Sequence, residues 1–355
     1  MSALDENSGT TEVREAHRFD EIALTRWMTQ HVAGFRGPMR VEQFKGGQSN
    51  PTYKLITPER DYVMRRKPPG VLLQGAHAVE REAQVLTALG RLDFPVPHVH
   101  ALCTDAKVAG TAFFVMDYVA GRIFWDATFP QVPRAERAGY FDTMNETLAR
   151  LHCVDYAAIG LEAYGKPGNY FARQIARWSR QYLEDEQAGW VDAMDRLVDW
   201  LPRNIPPGDE TTIVHGDFRC DNMIFHPTEP RVLAVLDWEL STLGHPLADF
   251  SYHAMMYRVP RESFGGLLGA DLESLGIPSE ADYIAAYCRR TQRAAIPGYE
   301  FYLAFNLFRL AAILHGIRGR IARGTAASSH ARERAAAVEL VASLAWEQAA
   351  RSAGA

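Results

Sequence analysis

Apolar and polar residues alternate in short runs through the amino-terminal part of the chain. Side chains of a strand point to opposite faces in turn, so such runs predict strands. We expect five of them, over residues 41–45, 52–57, 62–67, 96–99 and 113–119. A spacing near that of a helix appears instead over residues 77–89. Residues 35–119 should therefore form a small antiparallel sheet with one helix, preceded by a helical extension over residues 1–34.

The apolar spacing is mostly helical from residue 120 onward. It predicts helices over residues 136–153, 170–186, 190–201, 281–291, 299–323 and 330–350. Two short apolar runs, residues 223–225 and 232–236, are joined by a turn rich in proline and glutamate and predict a hairpin. The expected architecture is α+β, with a sheet-based N-lobe over residues 35–119 and a mainly helical C-lobe over residues 120–355.

Length and composition favour an intracellular enzyme. A chain of 355 residues exceeds the usual size of one core, which favours two lobes. The net charge of -5 argues against a dedicated nucleic-acid binder, and the four cysteines lack the spacing of a disulfide or zinc framework. The first twenty residues have no apolar core, and no run approaches the roughly 18 apolar residues that span a bilayer. We expect a cytoplasmic protein without nucleic-acid or membrane partners, and the oligomeric state stays open.

The stretch from His215 to Asn222, followed by Asp237, has the residue types and spacing of phosphoryl transfer. A donor such as MgATP needs a carboxylate to orient the attacking hydroxyl and oxygen ligands to hold the metal. Asp217 precedes Asn222 by five residues. The hairpin should place Asn222 and Asp237 side by side, so that one divalent cation could touch both. A single Asp or Asn beside a strand is more often a turn former, and only the ordered combination points to function.

The break between the first two strands is a candidate phosphate loop. Its glycines let backbone N–H groups approach phosphate oxygens, and its polar side chains add contacts. The loop consists of Gly46, Gly47, Gln48, Ser49 and Asn50. An ordinary hairpin turn would have the same composition.

The strand over residues 62–67 carries cations that could reach nucleotide phosphates. Arg65 occupies the place of the Lys in the V-A-I-K strand of protein kinases, and Lys67 on the same face is the alternative. A solvated basic strand end would also explain them. Glu82, beside the apolar stripe of the following helix, is the expected partner of Arg65, although a surface Glu is the competing interpretation.

Residues 113–119 have the character of a hinge between lobes. An extended hinge presents backbone groups to an adenine edge while apolar side chains cover its face, which would involve Met116, Asp117 and Val119. The last strand of a sheet would satisfy the same sequence.

Taken together, these motifs resemble the aminoglycoside phosphotransferase family, also called choline-kinase-like or protein-kinase-like small-molecule kinases. The resemblance covers residues 35–320 and is most specific in the stretch from His215 to Asn222. Residues 65–70 and 244–249 are most similar to the branch that also occurs as the kinase portion of acyl-CoA dehydrogenase fusion proteins.

The resemblance implies a bilobal protein-kinase-like fold that binds ATP and Mg²⁺. On that basis Asp217 orients the acceptor hydroxyl, Asn222 and Asp237 bind magnesium, and Arg65 steadies the phosphates with support from Glu82. His215 braces the catalytic loop, and Asp249 braces the segment after the metal site. Two features depart from kinase patterns: the phosphate loop lacks G-x-G-x-x-G, and Arg replaces Lys.

The acceptor is the least determined part. Residues 280–355 contain ten arginines and no lysine against six acidic residues, which favours an anionic acceptor over a polycationic antibiotic. The candidate anion-binding arginines are Arg289, Arg290, Arg309, Arg318, Arg320 and Arg323, although a solvated helix face explains most of them equally well. The branch resemblance suggests a hydroxyacyl-CoA. The alternatives are an aminoglycoside kinase, or a nucleotide-binding pseudokinase that serves as a scaffold. A protein kinase is disfavoured because no A-P-E-like segment follows Asp237.

Overall fold

The protein divides into two compact units. A computed structural model describes residues 9–46, 50–70, 78–325 and 331–353, so the predicted loop residues Gly47, Gln48 and Ser49 lie outside the described residues. The first unit contains the chain up to Trp125, with Ala157–Tyr164 and Asp221–Ser241. The second unit contains Asp126–Tyr156, Gly165–Cys220 and the chain from Thr242 onward.

A six-stranded antiparallel sheet forms the centre of the first unit, which confirms the predicted sheet. The strand order is β1-β2-β3-β4-β6-β5. The strands are β1 (Thr10–Thr11), β2 (Arg40–Phe44), β3 (Thr52–Ile56), β4 (Tyr62–Arg66), β5 (Val99–Cys103) and β6 (Phe113–Asp117). The strand predicted over residues 96–99 is wrong in position, because β5 begins only at Val99. Two prolines, Pro95 and Pro97, precede that point and cannot donate a ladder hydrogen bond.

Among the described residues of this unit, three α-helices accompany the sheet, and the first of them buries an apolar face against it. They are α1 (Glu21–His31), α2 (Val79–Gly90) and the short α3 (Ala106–Ala109). Asp20 caps α1 by accepting hydrogen bonds from the amides of Ile22 and Ala23, both at 2.9 Å. Leu24, Trp27 and Met28 of α1 then join the core formed by the sheet. The predicted N-terminal extension thus contains a helix that packs into the first unit.

The predicted hairpin is present and belongs to the first unit. Its strands are β8 (Met223–Phe225) and β9 (Val232–Val235), paired antiparallel with Met223 opposite Val235. The Val235 amide donates to the Pro95 carbonyl at 2.8 Å, and the Arg122 amide donates to the Phe225 carbonyl at 2.8 Å. These bonds to residues before Trp125 explain why the hairpin groups with the sheet, although the sequence placed it within a C-lobe over residues 120–355.

The second unit is mainly helical, as predicted. Its helices are α4 (Arg134–His152), α5 (Tyr170–Glu184), α6 (Asp192–Trp200), α7 (Pro246–Ala254), α8 (Arg261–Phe264), α9 (Leu272–Leu275), α10 (Glu280–Arg290), α11 (Tyr299–Ala322), α12 (Ala331–Ala336) and α13 (Val338–Ala353). The single helix expected over residues 330–350 is interrupted by a turn at Ala337. Two three-residue strands, β7 (Thr212–Val214) and β10 (Thr242–Gly244), pair antiparallel and were not predicted. Three residues are too few to show an alternating pattern.

Helix α11 corrects one expectation from the sequence. Among the described residues it is long and apolar enough to cross a bilayer, by length and composition, whereas no such segment was expected. In the structure 72% of its apolar window is buried inside the protein, as in the core helix of a globular domain.

Candidate active site

A cavity of about 440 Å³ lies within the first unit, and one part of its wall is apolar while another is charged. Its volume lies in the range of ligand pockets. Eight of the predicted nucleotide and metal residues line it, namely Gly46, Arg65, Glu82, Met116, Asp117, Val119, Asn222 and Asp237. Apolar side chains that complete the wall include Phe44, Val63, Leu86, Ile123, Ile224 and Leu236. The sequence therefore located this cavity, while the roles assigned to these residues stay predictions.

Arg65 is the centre of the charged part. Its Nε lies 2.7 Å from Glu82 Oε2, so the predicted ion pair is present. Its Nη2 lies 2.5 Å from Asp237 Oδ1 and 3.4 Å from Glu239 Oε2. Glu239 also accepts a hydrogen bond from the Asn50 side chain at 3.3 Å. Strand β4, helix α2 and the turn after β9 thus meet through one buried guanidinium. The sequence analysis gave Glu239 no role, although it follows Asp237 by only two residues.

Burial and charge act in opposite directions on this cluster. Burial alone would lower the pKa of Arg65, but the carboxylates of Glu82, Asp237 and Glu239 raise it above its ordinary value. Burial raises the pKa of Glu82 to about 7 against the attraction of Arg65. One guanidinium therefore faces three carboxyl groups.

The hairpin brings the backbones of the two predicted metal ligands close together. The Leu236 amide donates to the Asn222 carbonyl at 2.8 Å, so Asn222 lies opposite the residue that precedes Asp237. Asp237 has a left-handed backbone with φ of 64°, and the Trp238 indole N–H donates to the Val235 carbonyl at 2.9 Å beside it. Non-glycine residues rarely adopt this conformation, and it is enriched at functional sites.

Asn222 and Asp237 suit a magnesium ion that is also bound by phosphates and water better than they suit a metal ion bound by protein side chains alone. Within the described residues no group of three or more His, Cys, Asp or Glu side chains could hold a metal ion. One carboxylate and one amide oxygen are the kind of partial ligand set that magnesium uses when phosphates and water supply the rest. The surplus of carboxyl groups around Arg65 agrees with that arrangement.

The predicted hinge residues lie at the cavity, but the Asp117 side chain is engaged elsewhere. Its carboxylate contacts Arg60 Nη2 at 2.5 Å and His100 Nε2 at 2.7 Å. Burial lowers the pKa of His100 below its ordinary value, despite this carboxylate. We therefore expect the hinge to contact a nucleotide base through its backbone and through Met116.

In the second unit, Asp249 holds the loop that leads to Asp217. Its carboxylate accepts hydrogen bonds from the amides of His215 at 2.7 Å and Gly216 at 2.8 Å. His152 Nε2 lies 3.3 Å from the same carboxylate. Burial would raise the pKa of Asp249, but the hydrogen bonds from His152 and the His215 amide bring it below its ordinary value. The sequence assigned Asp249 to the segment after the metal site, whereas these bonds go to the loop before Asp217.

His215 braces the loop, as predicted. Its ring is fully buried, and its Nδ1 accepts a hydrogen bond from the Asp217 amide at 3.2 Å. Because Nδ1 accepts, the ring proton of the neutral form resides on Nε2. This bond fixes the backbone of Asp217 rather than its carboxylate.

Two residues that the sequence analysis did not assign to this loop contact it directly. The Tyr252 hydroxyl donates to Asp217 Oδ1 at 2.5 Å. Arg309 Nη2 donates to the Gly216 carbonyl at 2.9 Å, and its guanidinium lies 5.3 Å from the centre of the Tyr252 ring. Tyr252 follows Asp249 by three residues on helix α7, a spacing that shares one face and could have revealed it.

The predicted anion-binding arginines are largely engaged with other parts of the protein. Arg309 supports the loop, Arg290 pairs with Asp142, Arg318 with Glu339 and Arg323 with Asp185. The other two, Arg289 and Arg320, are exposed. The arginine-rich composition of these helices is therefore mostly explained by internal ion pairs, which weakens the argument for an anionic acceptor.

Comparison with known proteins places this geometry in a family context. Acyl-CoA dehydrogenase family member 10 of Mus musculus is 44% identical over 346 residues, which are 96% of this chain and 32% of that protein. Acyl-CoA dehydrogenase family member 11 of Gallus gallus is 45% identical over 335 residues, which are 91% of this chain and 43% of that protein. The chain thus spans less than half the length of these relatives. Their names agree with the fusion branch that the sequence motifs indicated.

Solved structures share the fold. A Ralstonia eutropha protein, described provisionally as an aminoglycoside phosphotransferase, has 53% identity and a TM-score of 0.88, covering 94% of this chain and 99% of that one. Choline kinase from Cryptosporidium parvum has 10% identity and a TM-score of 0.63, covering 94% and 96%. A mutant aminoglycoside phosphotransferase APH(4)-Ia, in complex with AMP-PNP and hygromycin B, has 14% identity and a TM-score of 0.60, covering 92% and 98%. These similarities confirm the predicted protein-kinase-like fold.

The family itself is shown by residues 40–305, which match the profile described as APH, the phosphotransferase enzyme family. The matched range contains the cavity residues from Phe44 to Trp238 and the loop around Asp217. The chain belongs to the phosphotransferase enzyme family, whose members transfer phosphoryl groups to hydroxyl acceptors.

Proposed function

We propose that this chain is an ATP-dependent kinase that transfers the γ-phosphoryl group of ATP to a hydroxyl group of a small molecule. The observation that carries the proposal is the buried Arg65 guanidinium, joined to Glu82 and Asp237 in a cavity whose remaining wall is largely apolar. Such a cavity has a place for a flat base and a place for phosphates.

The apolar part of the cavity wall suits the adenine base, and the charged part suits the phosphates. Val63, Met116, Ile123 and Ile224 offer an apolar slot for adenine. Arg65 faces the phosphates, with its orientation fixed by Glu82. The AMP-PNP complex of the APH(4)-Ia mutant shows a nucleotide analogue in a protein of the same fold, and this supports ATP as the donor.

Asn222 and Asp237 are the residues that would hold magnesium, which neutralises phosphate charge when bound. Both residues stand at the open end of hairpin β8–β9, so their side chains would be able to hold the ion together. Asp237 presently contacts Arg65 Nη2. That contact fixes the carboxylate and places its negative charge beside the phosphate-facing guanidinium.

Asp217 orients the acceptor hydroxyl and accepts its proton. The acceptor oxygen forms a bond to the γ-phosphorus, the bond from that phosphorus to the bridging oxygen breaks, and ADP leaves. The Asp217 carboxylate must hold one orientation for this step. Asp249 and His215 supply that rigidity through the loop backbone, and Tyr252 supplies it at the carboxylate itself.

A hydroxyacyl-CoA is the acceptor we propose. The support comes from the names of the relatives, which are acyl-CoA dehydrogenase family members with a portion similar to this chain. The arginines of helices α10 and α11 add little support for this acceptor, because most of them contact other parts of the protein. The alternatives are an aminoglycoside acceptor and a scaffold without turnover. One assay of ATP consumption distinguishes both from a hydroxyacyl-CoA kinase.

The direct experiment measures ATP consumption with separate panels of hydroxyacyl-CoAs, free hydroxy acids, choline and aminoglycosides. We expect turnover with hydroxyacyl-CoAs and little with the others. Turnover with aminoglycosides alone would reject the proposed acceptor. MgATP binding without turnover on any panel would favour the scaffold.

Asp217→Asn tests the catalytic assignment. The amide keeps the size of the side chain but cannot accept the hydroxyl proton, so kcat should fall by about 10³-fold while MgATP affinity stays within about threefold. Asp192→Asn is the matched control, because it removes the same charge at an exposed helix position, where Asp192 pairs with Arg196 at 2.7 Å. Equal activity of Asp217→Asn and the parent would remove Asp217 from the mechanism.

A further inference from the structure

A buried histidine lies beside Asp249 in the second unit. His152, the last residue of helix α4, has a side chain that is 1% exposed, and its Nε2 lies 3.3 Å from Asp249 Oδ2. The same carboxylate accepts from the amides of His215 at 2.7 Å and Gly216 at 2.8 Å. These contacts share one carboxylate, so the orientation of the His152 ring affects the loop that leads to Asp217.

The neighbours of the His152 ring determine which of its nitrogens donates. Asp249 is ionised at neutral pH, because the hydrogen bonds it accepts bring its pKa below its ordinary value. A carboxylate can only accept, so Nε2 of the neutral ring carries the proton and donates to it. The other nitrogen, Nδ1, must then accept, and the Tyr287 hydroxyl lies 2.7 Å from it. Tyr287 therefore donates to His152, which in turn donates to Asp249.

The two hydrogen bonds of the ring differ in length. The distance of 3.3 Å to Asp249 is at the long end for a hydrogen bond, whereas the distance of 2.7 Å to Tyr287 is short. A long bond is lost after a small rotation of the ring, and the short bond opposes that rotation. Tyr287 is thus the contact that keeps His152 directed at Asp249.

Packing and charge hold the Tyr287 hydroxyl in place. Its ring is fully buried on helix α10 and stacks on Phe250, with ring centroids 3.9 Å apart. Burial raises the pKa of Tyr287 above its ordinary value, although the positive charge of Arg293, which donates to Glu210 at 2.7 Å, acts against that rise. The hydroxyl therefore keeps its proton. Because a guanidinium only donates, Arg293 favours a hydroxyl proton that is directed away from it, towards His152.

We propose that Tyr287 and His152 are positioning residues for the phosphoryl transfer, which hold the Asp249 carboxylate on the loop before Asp217. Without the Tyr287 hydroxyl, the buried Nδ1 loses its donor and the ring can turn, so the carboxylate is free to leave the loop amides. The effect passes through the loop backbone and should appear in kcat rather than in the KM for ATP. The inference rests on the proposed function, because Asp217 is its catalytic carboxylate.

Hydrogen exchange of the His215 and Gly216 amides, followed by NMR, tests this role without turnover. Tyr287→Phe keeps the stacked ring and removes the donor to Nδ1, so both amides should exchange about tenfold faster than in the parent. Tyr299→Phe is the matched control, because the hydroxyl of this buried tyrosine donates to Glu280 Oε1 at 3.2 Å. The two loop amides of the control should exchange at the parental rate.

Substitutions of His152 give an independent measurement. His152→Leu removes the donor to Asp249 and should accelerate exchange of the same two amides. His152→Gln offers an N–H to Asp249 and an oxygen to Tyr287, so it should restore most of the protection. Steady-state kinetics should give a kcat about three- to tenfold lower for Tyr287→Phe, with an unchanged KM for ATP.

Three results would overturn the inference. They are parental exchange of both amides in Tyr287→Phe, an equal acceleration in Tyr299→Phe, and a parental kcat despite faster exchange. Failure of the proposed function would look different, because the parent itself would then show no turnover, while the exchange rates of the variants would still differ.

Discussion

At the scale of single residues, Arg65 shows why an arginine can stand where kinases usually have a lysine. Its Nε and Nη2 atoms contact Glu82 and Asp237 at the same time, at 2.7 Å and 2.5 Å. A lysine has one nitrogen at the end of a flexible stem and cannot make both contacts with the same geometry. The arginine therefore links helix α2 to the turn at Asp237 in addition to facing the cavity.

Arg65→Lys should weaken MgATP binding by about tenfold, because the charge stays but one of the two contacts is lost. Titration of the purified variant with MgATP measures the effect. Lys67→Met is the matched comparison, since Lys67 lies on the same strand and pairs with Glu80 at 2.7 Å. A larger loss of MgATP affinity in the Lys67 variant than in the Arg65 variant would show that Lys67, and not Arg65, contacts the phosphates.

Tyr252→Phe should reduce kcat by about 10- to 100-fold with little change in KM for ATP, because Asp217 loses the donor that fixes its carboxylate. Tyr257→Phe is the control, since its hydroxyl donates to the Pro278 carbonyl at 3.0 Å. Steady-state kinetics on both variants, with their melting temperatures, separates positioning from stability. A loss of kcat that merely follows a loss of melting temperature would contradict the positioning role.

At the scale of elements, the hairpin shows what the sequence could and could not provide. Two apolar runs and their turn were enough to predict β8, β9 and the adjacent positions of Asn222 and Asp237. Its grouping with the sheet depends on the bond from Val235 to Pro95 across many residues, which no local pattern encodes. Glycine at position 121 is explained in the same way, by a contact visible only once the hairpin is folded.

Gly121→Ala should destabilise the protein by about 1–3 kcal/mol, because a Cβ there would lie under 3.0 Å from the Phe225 carbonyl oxygen and Ile224 Cγ2. Since Gly121 and Ile224 also line the cavity, MgATP binding should weaken too. Urea unfolding and nucleotide titration measure the two effects. Gly90→Ala is the control, because the new Cβ would meet only Val96 at 3.9 Å. Equal unfolding free energies for the two variants would show that strand β8 can shift to accommodate the new Cβ.

At the scale of the whole chain, periodicity and motif spacing predicted the secondary structure and cavity position of residues more reliably than they predicted which residues contact each other. The strands, most helices and the cavity residues followed from periodicity and motif spacing. Tyr252 and Arg309 were not assigned to the loop, because they reach it from helices α7 and α11, far along the chain from Asp217. The arginines of helices α10 and α11 show a different kind of error. Their number suggested that they bind a ligand, but in the folded protein most of them pair with internal partners.

Acid should destabilise the protein through two buried histidines of the second unit. Burial lowers the pKa of His245 and of His253 from 6.5 to about 4 in the folded protein. Between pH 6.5 and 4 the unfolded chain therefore binds protons that the folded chain does not, so the free energy of unfolding falls as the pH falls. Protonation would also cost His245 the Nδ1 acceptor that caps helix α7 through the Leu247 amide at 3.2 Å.

The expected loss is about 2 kcal/mol per histidine between pH 7 and pH 5, measured by urea unfolding at each pH. His253→Gln removes one titrating group while keeping polar atoms near the Phe218 carbonyl and the Tyr283 hydroxyl. This variant should be less stable than the parent at pH 7 but should lose about 2 kcal/mol less on acidification. His31→Gln makes the same substitution at an exposed position and serves as the control variant. An unchanged slope in His253→Gln would mean that the acid sensitivity arises from other groups.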